Sequence, residues 1–355
     1  MSCRFVYGLL VIFVAAGCSS RDDSDEPIPD AQFMVVLQEH LGIEESVTPE
    51  LLDASKLQTL YAGNREIESI EGIQHATELL RVVLDGNALV SLDPMETLSN
   101  VVSLSAEANG LNSLDGVRNM TSLERLDLYE NAIVELKPLE ELRALTFLSL
   151  DSNRVEDIAS LAYLTNLESL MLFDNHVTNL EPLSKLTKLK LLDLDANQIR
   201  DVSVLATLPQ LEDVDLSYNK LVDVSPLAYL VNLRALNLDN NNINDLDWVR
   251  PCQHLKELTL SNNRLIDISP LADMNHLESL ELSINNIQDI TPLAKLKNLR
   301  ILALVDNEIT DLSPLVKRAM VKQGGRLIVS GNPLTQETIE RDIPALRARG
   351  IEVIY

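Results

Sequence analysis

Residues 123–131 read LERLDLYEN, and residues 277–285 read LESLELSIN. Both fit the pattern L-x-x-L-x-L-x-x-N, and along most of the chain this pattern ends in an asparagine every 22 residues. A fixed period of this length indicates one supersecondary unit that is stacked on copies of itself. The asparagines that end the units are Asn87, Asn109, Asn131, Asn153, Asn175, Asn197, Asn219, Asn241, Asn263, Asn285 and Asn307.

Within each unit, the L-x-L segment predicts a short parallel strand whose leucines point into the core. The asparagine predicts a structural ladder, because a buried amide has to be hydrogen-bonded and can satisfy backbone groups where the chain leaves the strand. Proline fixes φ and lacks an N–H donor, so we expect extended or 3₁₀ turns in the second half of the unit. Proline recurs seven residues after the asparagine at Pro94, Pro138, Pro182, Pro226, Pro270, Pro292 and Pro314.

The repeat resembles the 22-residue class of leucine-rich repeats found in bacterial internalins and in the eukaryotic phosphatase regulator with the same repeat length. Residues 28–42 and 47–51 are similar to the cap that precedes internalin-like repeats. The resemblance covers about residues 30–355 and is specific for fold, but poorly specific for ligand. It implies an α/β solenoid, a leucine-rich-repeat horseshoe with one concave parallel sheet, short 3₁₀ or extended convex segments, a helical N-terminal cap and a C-terminal cap.

Five segments follow from this pattern. Residues 1–17 are expected to be a signal peptide and residues 18–29 a lipidated cysteine with an acidic tether. Residues 30–56 predict a helical N-terminal cap, because the end of a solenoid core has to be covered. Residues 57–320 hold twelve repeat units. Residues 321–355 are expected to form a degenerate last repeat and a C-terminal cap that contains one helix and a final strand.

The leader carries one charge, Arg4. Its apolar run covers residues 5–16 and is shorter than a typical membrane-spanning helix. Residues 15–18, Ala-Ala-Gly-Cys, resemble a bacterial lipobox. The resemblance implies cleavage before Cys18, lipidation of that cysteine and an anchor in the cell envelope, and Ser19 favours the outer membrane. The alternative is an ordinary cleaved signal with an incidental cysteine. Because we recognise no surface-sorting motif, Cys18 is where we expect the anchor.

The composition excludes several functions. A formal charge of −25 argues against nucleic acid or anionic lipid surfaces as partners and favours a basic protein. The five histidines occupy unrelated repeat positions, and neither a phosphate-binding loop nor a nucleophile elbow occurs. We therefore expect no enzyme activity, no metal site, no cofactor and a monomeric chain. Cys252 occupies a core position of the repeat and is expected to be buried.

The concave face is the surface that such a solenoid offers to a partner. Strand alternation predicts that the residues six, four and two places before each asparagine are exposed on it. In four adjacent units these positions hold apolar side chains, and exposed contiguous apolar surface usually marks an interaction site. Alternatively, the rings fold down onto neighbouring side chains and have no function. We define this predicted apolar patch as Tyr129, Phe147, Met171, Phe173 and Leu191.

The same positions hold many carboxylates, with Asp127 and Asp151 further along. Asp193 and Asp215 are predicted to lie side by side, and like charges in that arrangement are unfavourable unless a cation offsets them. A basic partner peptide is the first candidate, calcium is the second, and a solvated acidic surface is the third. We define the acidic stripe as Asp193, Asp195, Asp213, Asp215 and Asp239.

A third group of aspartates lies four places after the asparagines and recurs from unit to unit. A residue repeated in this way is more often a turn residue than part of a binding site, so we expect a structural role. The group consists of Asp201, Asp223, Asp245, Asp267, Asp289 and Asp311.

The sequence thus predicts a non-enzymatic protein-binding module for recognition or adhesion, carried by a lipoprotein of the cell envelope and binding its partner on the concave sheet. Two alternatives stay open. One is a structural envelope lipoprotein without a discrete ligand. The other is an intracellular adaptor that resembles the phosphatase regulator, which would require that the leader is not cleaved.

Overall fold

A computed structural model describes residues 28–317 and 321–355. The predicted leader, Cys18 and almost all of the acidic tether lie outside the described residues. None of the helices in the described part is long and apolar enough to span a membrane.

Two helices form the N-terminal cap, α1 (Ala31–Leu41) and α2 (Pro49–Ser55). The Asp30 carboxylate accepts the N–H groups of Gln32 and Phe33 at 2.9 Å and so caps the first turn of α1. Gly42 ends α1 in the left-handed conformation with φ +67°. The second oxygen of Asp30 accepts the N–H groups of Glu68 and Ser69, so one aspartate starts the helix and ties the cap to the first repeat.

A single parallel sheet of fourteen strands runs through the described part, with the strands in sequence order. Each strand pairs with the next at a fixed offset of 22 residues as far as β12, so Leu126 is paired with Leu148 and Leu148 with Leu170. The strands are β1 (Thr59–Tyr61), β2 (Arg81–Val83), β3 (Ser103–Ser105), β4 (Arg125–Asp127), β5 (Phe147–Ser149), β6 (Ser169–Met171), β7 (Leu191–Asp193), β8 (Asp213–Asp215), β9 (Ala235–Asn237), β10 (Glu257–Thr259), β11 (Ser279–Glu281), β12 (Leu299–Ala303), β13 (Val321–Ile328) and β14 (Glu352–Ile354).

Short 3₁₀ segments form the opposite, convex side, as the recurrent prolines predict. Three to five residues per segment are enough to reverse the chain, and proline at the second position of many segments stops a longer helix from forming. The segments are Ile73–His75, Asp93–Met95, Asp115–Val117, Lys137–Leu139, Ala159–Tyr163, Glu181–Lys185, Ser203–Thr207, Ser225–Tyr229, Asp247–Val249, Ser269–Asp273 and Thr291–Lys295.

The hydrophobic core is one continuous column between sheet and convex segments. The repeat leucines are buried in every unit, and Cys252 is buried among them. Trp248 replaces the recurrent proline of its unit and is also buried. Because each unit contacts mainly its two neighbours, the core extends with the number of units and needs a cover at each end.

The C-terminal end differs from the repeats. Helix α3 (Ser313–Lys317) takes the place of a 3₁₀ segment, and β13 follows it. The predicted closing helix consists of a π-helical segment, Thr338–Asp342, that continues into α4 (Ile343–Ala348), and β14 then pairs with β13. The predicted fold class, a solenoid with one concave parallel sheet, convex 3₁₀ segments and a cap at each end, is confirmed.

Candidate functional site

The side chains of the concave face are arranged in three columns that cross the sheet at right angles to the strands. The first, second and third columns consist of the residues six, four and two places before the asparagine of each unit. In the second column, Asp127, Ser149, Met171, Asp193 and Asp215 are register partners in succession. Neighbouring parallel strands are about 4.8 Å apart, so side chains from adjacent units in one column lie in contact range.

The apolar patch is distributed over all three columns and is interrupted by polar residues. Phe147 and Leu191 lie in the first column with Ser169 between them. Tyr129 and Phe173 lie in the third column, with one residue between them. Tyr129 is 38% exposed, whereas the other four side chains of the patch are half-buried. The patch is therefore a set of partly covered apolar side chains within a polar surface.

The expectation that every residue of the three columns is exposed is wrong at three polar positions. Asp127, Ser149 and Ser217 are buried on the concave face. Arg125 of the same unit donates a hydrogen bond to Asp127. The Ser217 hydroxyl is hydrogen-bonded to Asp215 of its own unit and to Asn237 of the next. Exposure on this face thus depends on the neighbouring side chains as well as on strand alternation.

The sequence pattern did not single out Arg125, yet its side chain contacts both Phe147 of the apolar patch and Asp127. Its guanidinium lies over the Phe147 ring, 3.4 Å from the ring centroid, and donates a hydrogen bond of 3.1 Å to Asp127 Oδ2. Asp127 is only 8% exposed, and its Oδ1 has no hydrogen-bond partner. One cation therefore covers an aromatic ring and neutralises a buried carboxylate.

The carboxylates of the acidic stripe take part in local hydrogen bonds. Asp193 accepts the N–H of Asp195 at 3.0 Å, and Asp215 accepts the N–H of Ser217 at 2.9 Å. Asp239 accepts the N–H of Ser261 in the next unit at 2.6 Å. These carboxylates satisfy backbone donors at the ends of the strands, so part of their role is structural.

A lateral network continues from the stripe towards the C-terminal units. The amide of Asn237 donates to Asp215 Oδ2 at 2.8 Å, and the hydroxyl of Thr259 donates to Asn237 Oδ1. Asn237 also accepts the N–H of Asp239. This network links three units. Its cross-unit partners are 22 residues apart, so the repeat places them side by side, but their residue types differ from unit to unit and no repeated motif predicts the bonds.

Burial raises the pKa values of four carboxylates of the acidic stripe, and neighbouring carboxylates add to the rise. Burial raises the pKa of Asp193 to about 6, against the opposing hydrogen bond from the Asp195 N–H, and the adjacent Asp215 adds to the rise. Burial likewise raises the pKa of Asp239 to about 6. The pKa values of Asp195 and Asp213 are raised by burial and by the charge of Asp215. The predicted side-by-side placement of Asp193 and Asp215 is present in the register of β7 and β8.

Asp151 has the most perturbed acidity on the concave face. It lies in the third column between Tyr129 and Phe173, and its Oδ1 accepts the Phe173 N–H at 2.7 Å. Burial raises its pKa to about 7, against that hydrogen bond, and the charges of Asp193 and Asp127 contribute to the rise. The sequence placed Asp151 only at the margin of the stripe, although it lies inside the apolar patch.

The asparagine ladder binds adjacent units together through backbone groups. The Asn175 amide is within hydrogen-bonding distance of the carbonyls of Leu172 and Phe173 in its own unit and of Leu150 in the preceding unit. Its Oδ1 accepts the Val155 N–H at 2.9 Å. The other ten ladder asparagines make equivalent contacts, for example Asn153 and Asn197. The ladder is thus part of the scaffold.

The recurrent aspartates of the turns accept backbone N–H groups two residues further on. Ser203 and Ser269, for example, donate their N–H to Asp201 and Asp267 at 2.8 Å. The other four aspartates of the group accept corresponding bonds. Each therefore shapes the entry into a convex segment.

Within the described ranges, no group of three or more histidine, cysteine, aspartate or glutamate side chains is arranged to hold a metal ion. Burial raises the pKa of the Cys252 thiol to about 11, which keeps it in the unreactive thiol form.

The repeat is also recognised by comparison with known proteins. The family model for leucine-rich repeats, which describes two repeat copies, matches residues 165–207, 209–251, 253–295 and 275–317. No curated protein matches the chain in sequence.

Solved structures resemble the fold over most of the chain. An internalin (inlF) of Listeria monocytogenes matches with a TM-score of 0.86 and 27% identity, over 94% of this chain and 96% of that one. A leucine-rich-repeat protein of Leptospira interrogans matches with a TM-score of 0.76 and 23% identity, over 86% of each chain. A plant peptide hormone receptor, RGFR1 in complex with RGF2, matches with a TM-score of 0.66 and 20% identity, over 81% of this chain and 53% of the receptor. The described residues thus have the fold of a leucine-rich-repeat solenoid, and their architecture is similar to that of this internalin.

Proposed function

We propose that this leucine-rich-repeat solenoid is a non-enzymatic recognition module that binds another protein on its concave sheet. In this proposal, the exported chain is attached to the bacterial cell envelope, at the outer membrane, through a lipid on Cys18. The first part rests on the concave face, and the second on the lipobox-like residues 15–18. Different experiments test the two parts.

The observation that carries the binding proposal is the apolar patch. Tyr129, Phe147, Met171, Phe173 and Leu191 come from four adjacent units and stay partly open to solvent. Partly exposed aromatic side chains on a rigid surface lose little conformational entropy on binding, which favours their use as anchors. The sheet beneath them is fixed by ladder asparagines on every unit, so the anchors are preorganised.

The charge of the concave face indicates which kind of protein can bind there. The acidic stripe lies next to the patch on the C-terminal side, and the chain carries a formal charge of −25. A partner segment with aromatic or aliphatic side chains followed by lysine or arginine complements both surfaces. Charges of this kind mainly accelerate association and select the partner, whereas the buried apolar contacts supply affinity.

The related structures support a binding role without defining the ligand. The plant peptide hormone receptor RGFR1 is in complex with RGF2 in its structure. The internalin matches over nearly its full length, so its architecture extends across the whole described chain. Transfer of a peptide- or protein-binding role to this chain is our proposal.

A photo-crosslinking amino acid at Ser169, between Phe147 and Leu191, tests the site on intact cells. We expect a crosslinked protein from this position and none from a probe at Tyr163, a 50% exposed residue on the convex side. The crosslinked protein is then identified by mass spectrometry. A structural envelope protein without a ligand gives no specific crosslink at either position.

A pair of double variants tests which residues bind. Phe147→Ala with Phe173→Ala should abolish capture of the crosslinked protein while the variant stays folded, with a thermal unfolding transition lowered only slightly by the loss of the contact between Phe147 and Arg125. The matched control, Tyr163→Ala with Tyr229→Ala, removes two exposed rings from the convex side and should have no effect on capture. Equal capture by both double variants would exclude the apolar patch as the binding site.

Mass spectrometry of the native N-terminus tests the anchor. A diacylated Cys18 supports the lipoprotein and excludes an intracellular adaptor. An N-terminus at Met1, or a cysteine without lipid, contradicts this part of the proposal and leaves the binding proposal to be judged by its own experiments.

A further inference from the structure

Asp151 is a carboxylate placed inside an apolar surface. Backbone hydrogen bonds continue the register beyond the strands, from the Glu130 N–H to the Asp151 carbonyl and from the Ser152 N–H to the Phe173 carbonyl. Asp151 therefore lies between Tyr129 and Phe173 in the third column, with one aromatic residue on each side. Its Oδ1 is held by the Phe173 N–H at 2.7 Å.

No salt bridge to Asp151 exists within the described residues. The strand on one side offers Arg125, but that guanidinium is bound to Asp127 and stacked on Phe147. The charged groups that act on Asp151 are both acidic: Asp193, two units further on, and Asp127 in the preceding unit.

Such surroundings favour the protonated carboxyl. Burial, together with the charges of Asp193 and Asp127, raises the pKa of Asp151 to about 7. A protein that covers Tyr129 and Phe173 removes the remaining water from the carboxyl between them. Because desolvation disfavours the charged form, the covered carboxyl holds its proton more tightly than the free one.

We propose that partner binding on the apolar patch is coupled to the uptake of one proton by Asp151, which makes the concave face a pH-gated binding site. The inference rests on the proposed function, because it concerns the same surface. With the proton bound, Tyr129, Asp151 and Phe173 form a neutral row that a partner can cover. Without it, binding has to bury an unpaired carboxylate, which is costly.

The acidic stripe sets the lower limit of the pH range. Asp193 and Asp239 have pKa values of about 6, so these carboxylates lose charge as the pH falls below that value. A basic partner is then attracted less strongly. Binding is consequently tightest between about pH 6 and pH 7, where Asp151 is largely neutral and the stripe still carries charge.

Isothermal titration calorimetry with a synthetic peptide tests the proton uptake directly. The probe is a twelve-residue peptide of alternating lysine and phenylalanine, titrated into the full chain at about 0.15 M salt. Measurements in phosphate and in Tris at pH 7.5 give the number of protons taken up, because the two buffers differ in their heat of ionisation. For a carboxyl that titrates near 7 when free and stays protonated when covered, we expect the wild type to take up about 0.8 proton at pH 7.5. Its affinity should be roughly twentyfold weaker at pH 8.5 than at pH 6.5.

Two variants make the test specific. Asp151→Asn keeps an oxygen that accepts the Phe173 N–H, yet cannot take up a proton, so the uptake and the affinity gain from pH 8.5 to 6.5 should disappear. Glu156→Gln removes an exposed carboxylate from the same unit and should leave both at the wild-type values. The decline below pH 6 should persist in both variants, because the stripe is unchanged.

The possible results distinguish a failure of the proton-coupled binding from a failure of the proposed binding function. If the wild type and Asp151→Asn bind the peptide with the same proton uptake and the same pH profile, the gate is refuted and the concave site stands. If the wild type does not bind the peptide at any pH between 5.5 and 8.5, the proposed binding of a basic, aromatic segment fails, and the gate fails with it.

Discussion

The guanidinium of Arg125 lies 3.4 Å from the centroid of the Phe147 ring, in the neighbouring unit of the sheet. The same side chain is hydrogen-bonded to Asp127, whose other oxygen is buried without a partner. The cation thus connects an aromatic ring to a buried carboxylate and closes one end of the apolar patch. Loss of this one side chain exposes the ring and leaves the carboxylate unpaired.

Arg125→Ala should therefore lower the free energy of unfolding by about 1–2 kcal/mol, the sum of a cation–π contact and one charged hydrogen bond. Urea denaturation at pH 7 measures the difference. Arg81→Ala is the matched control, since Arg81 lies in the same column two units earlier and makes no ion pair in the described part. Equal stabilities of the two variants would show that the contacts of Arg125 with Phe147 and Asp127 do not stabilise the protein.

Asp151→Asn should make the protein more stable at pH 8 than the wild type. Since the folded-state pKa of Asp151 is raised to about 7 from the ordinary 3.8, the folded state binds the proton more tightly than the unfolded state. The contribution of this group therefore falls as the pH rises from about 4 to about 7 and stays constant above. Each unit of pKa shift corresponds to about 1.4 kcal/mol. Because Asp151 is partly exposed, we discount the full shift and expect the free energy of unfolding of Asp151→Asn to exceed that of the wild type by on the order of 2 kcal/mol at pH 8.

Urea denaturation of both proteins between pH 4.5 and 8 checks this slope, and Glu156→Gln serves as the equal-charge control. The wild type should lose stability relative to Asp151→Asn as the pH rises, whereas Glu156→Gln should follow the wild type. Parallel curves for the wild type and Asp151→Asn would mean that Asp151 is not desolvated in the folded protein.

Asn175→Ala should destabilise the chain by about 3 kcal/mol, because it leaves the buried Val155 N–H and the nearby carbonyls without a partner. Chemical denaturation gives the value. Asn112 is exposed and makes no hydrogen bond in the described ranges, so Asn112→Ala should change stability by less than about 0.5 kcal/mol. Similar losses at the two positions would refute the scaffold role of the ladder.

Ile284→Asn should stabilise the protein by about 1 kcal/mol, since a β-branched residue is strained in the left-handed region and asparagine tolerates it. Ile284 has φ +56° and is 51% exposed, so little packing is lost. Asn262 and Asn240 occupy the same position in the two preceding units and are hydrogen-bonded to each other, which gives the new side chain a neighbour. Thermal unfolding provides the measurement.

The control for this prediction is Ile266→Asn. Ile266 is 67% exposed and is not among the residues with positive φ, so the same change of side chain relieves no strain there. We expect no gain in stability. If both variants gain equally, the effect comes from reduced surface hydrophobicity and the backbone argument is wrong.

The fold was predictable because each of its determinants is local or strictly periodic. The 22-residue spacing sets the register between strands, as the pairing of Leu126 with Leu148 illustrates. Asp30 and Gly42 mark the start and end of α1 through capping rules that act within a few residues. The closing helix is the exception, since its π-helical segment, Thr338–Asp342, has no counterpart in the sequence pattern.

The site was less predictable because its contacts join residues that are 22 positions apart and differ from unit to unit. The positions of Phe147 and Phe173 on the concave face follow from strand alternation. The cover that Arg125 forms over Phe147, and the burial of Ser217 beside Asp215 and Asn237, depend on which side chains happen to be neighbours in these particular units. The same holds for Asp151, whose carboxyl is perturbed by neighbours that no local motif predicts.

The bonds of the asparagine ladder also bear on how such a chain can change over generations. Each asparagine contacts only its own unit and the preceding one, as Asn175 does, so removal of 22 consecutive residues leaves every remaining bond with an equivalent partner. Excision of residues 154–175 would bring Phe147 directly beside Leu191 without altering the fold. Duplication or loss of whole units therefore creates new neighbours on the concave face in a single genetic step, and the ladder makes such steps structurally neutral.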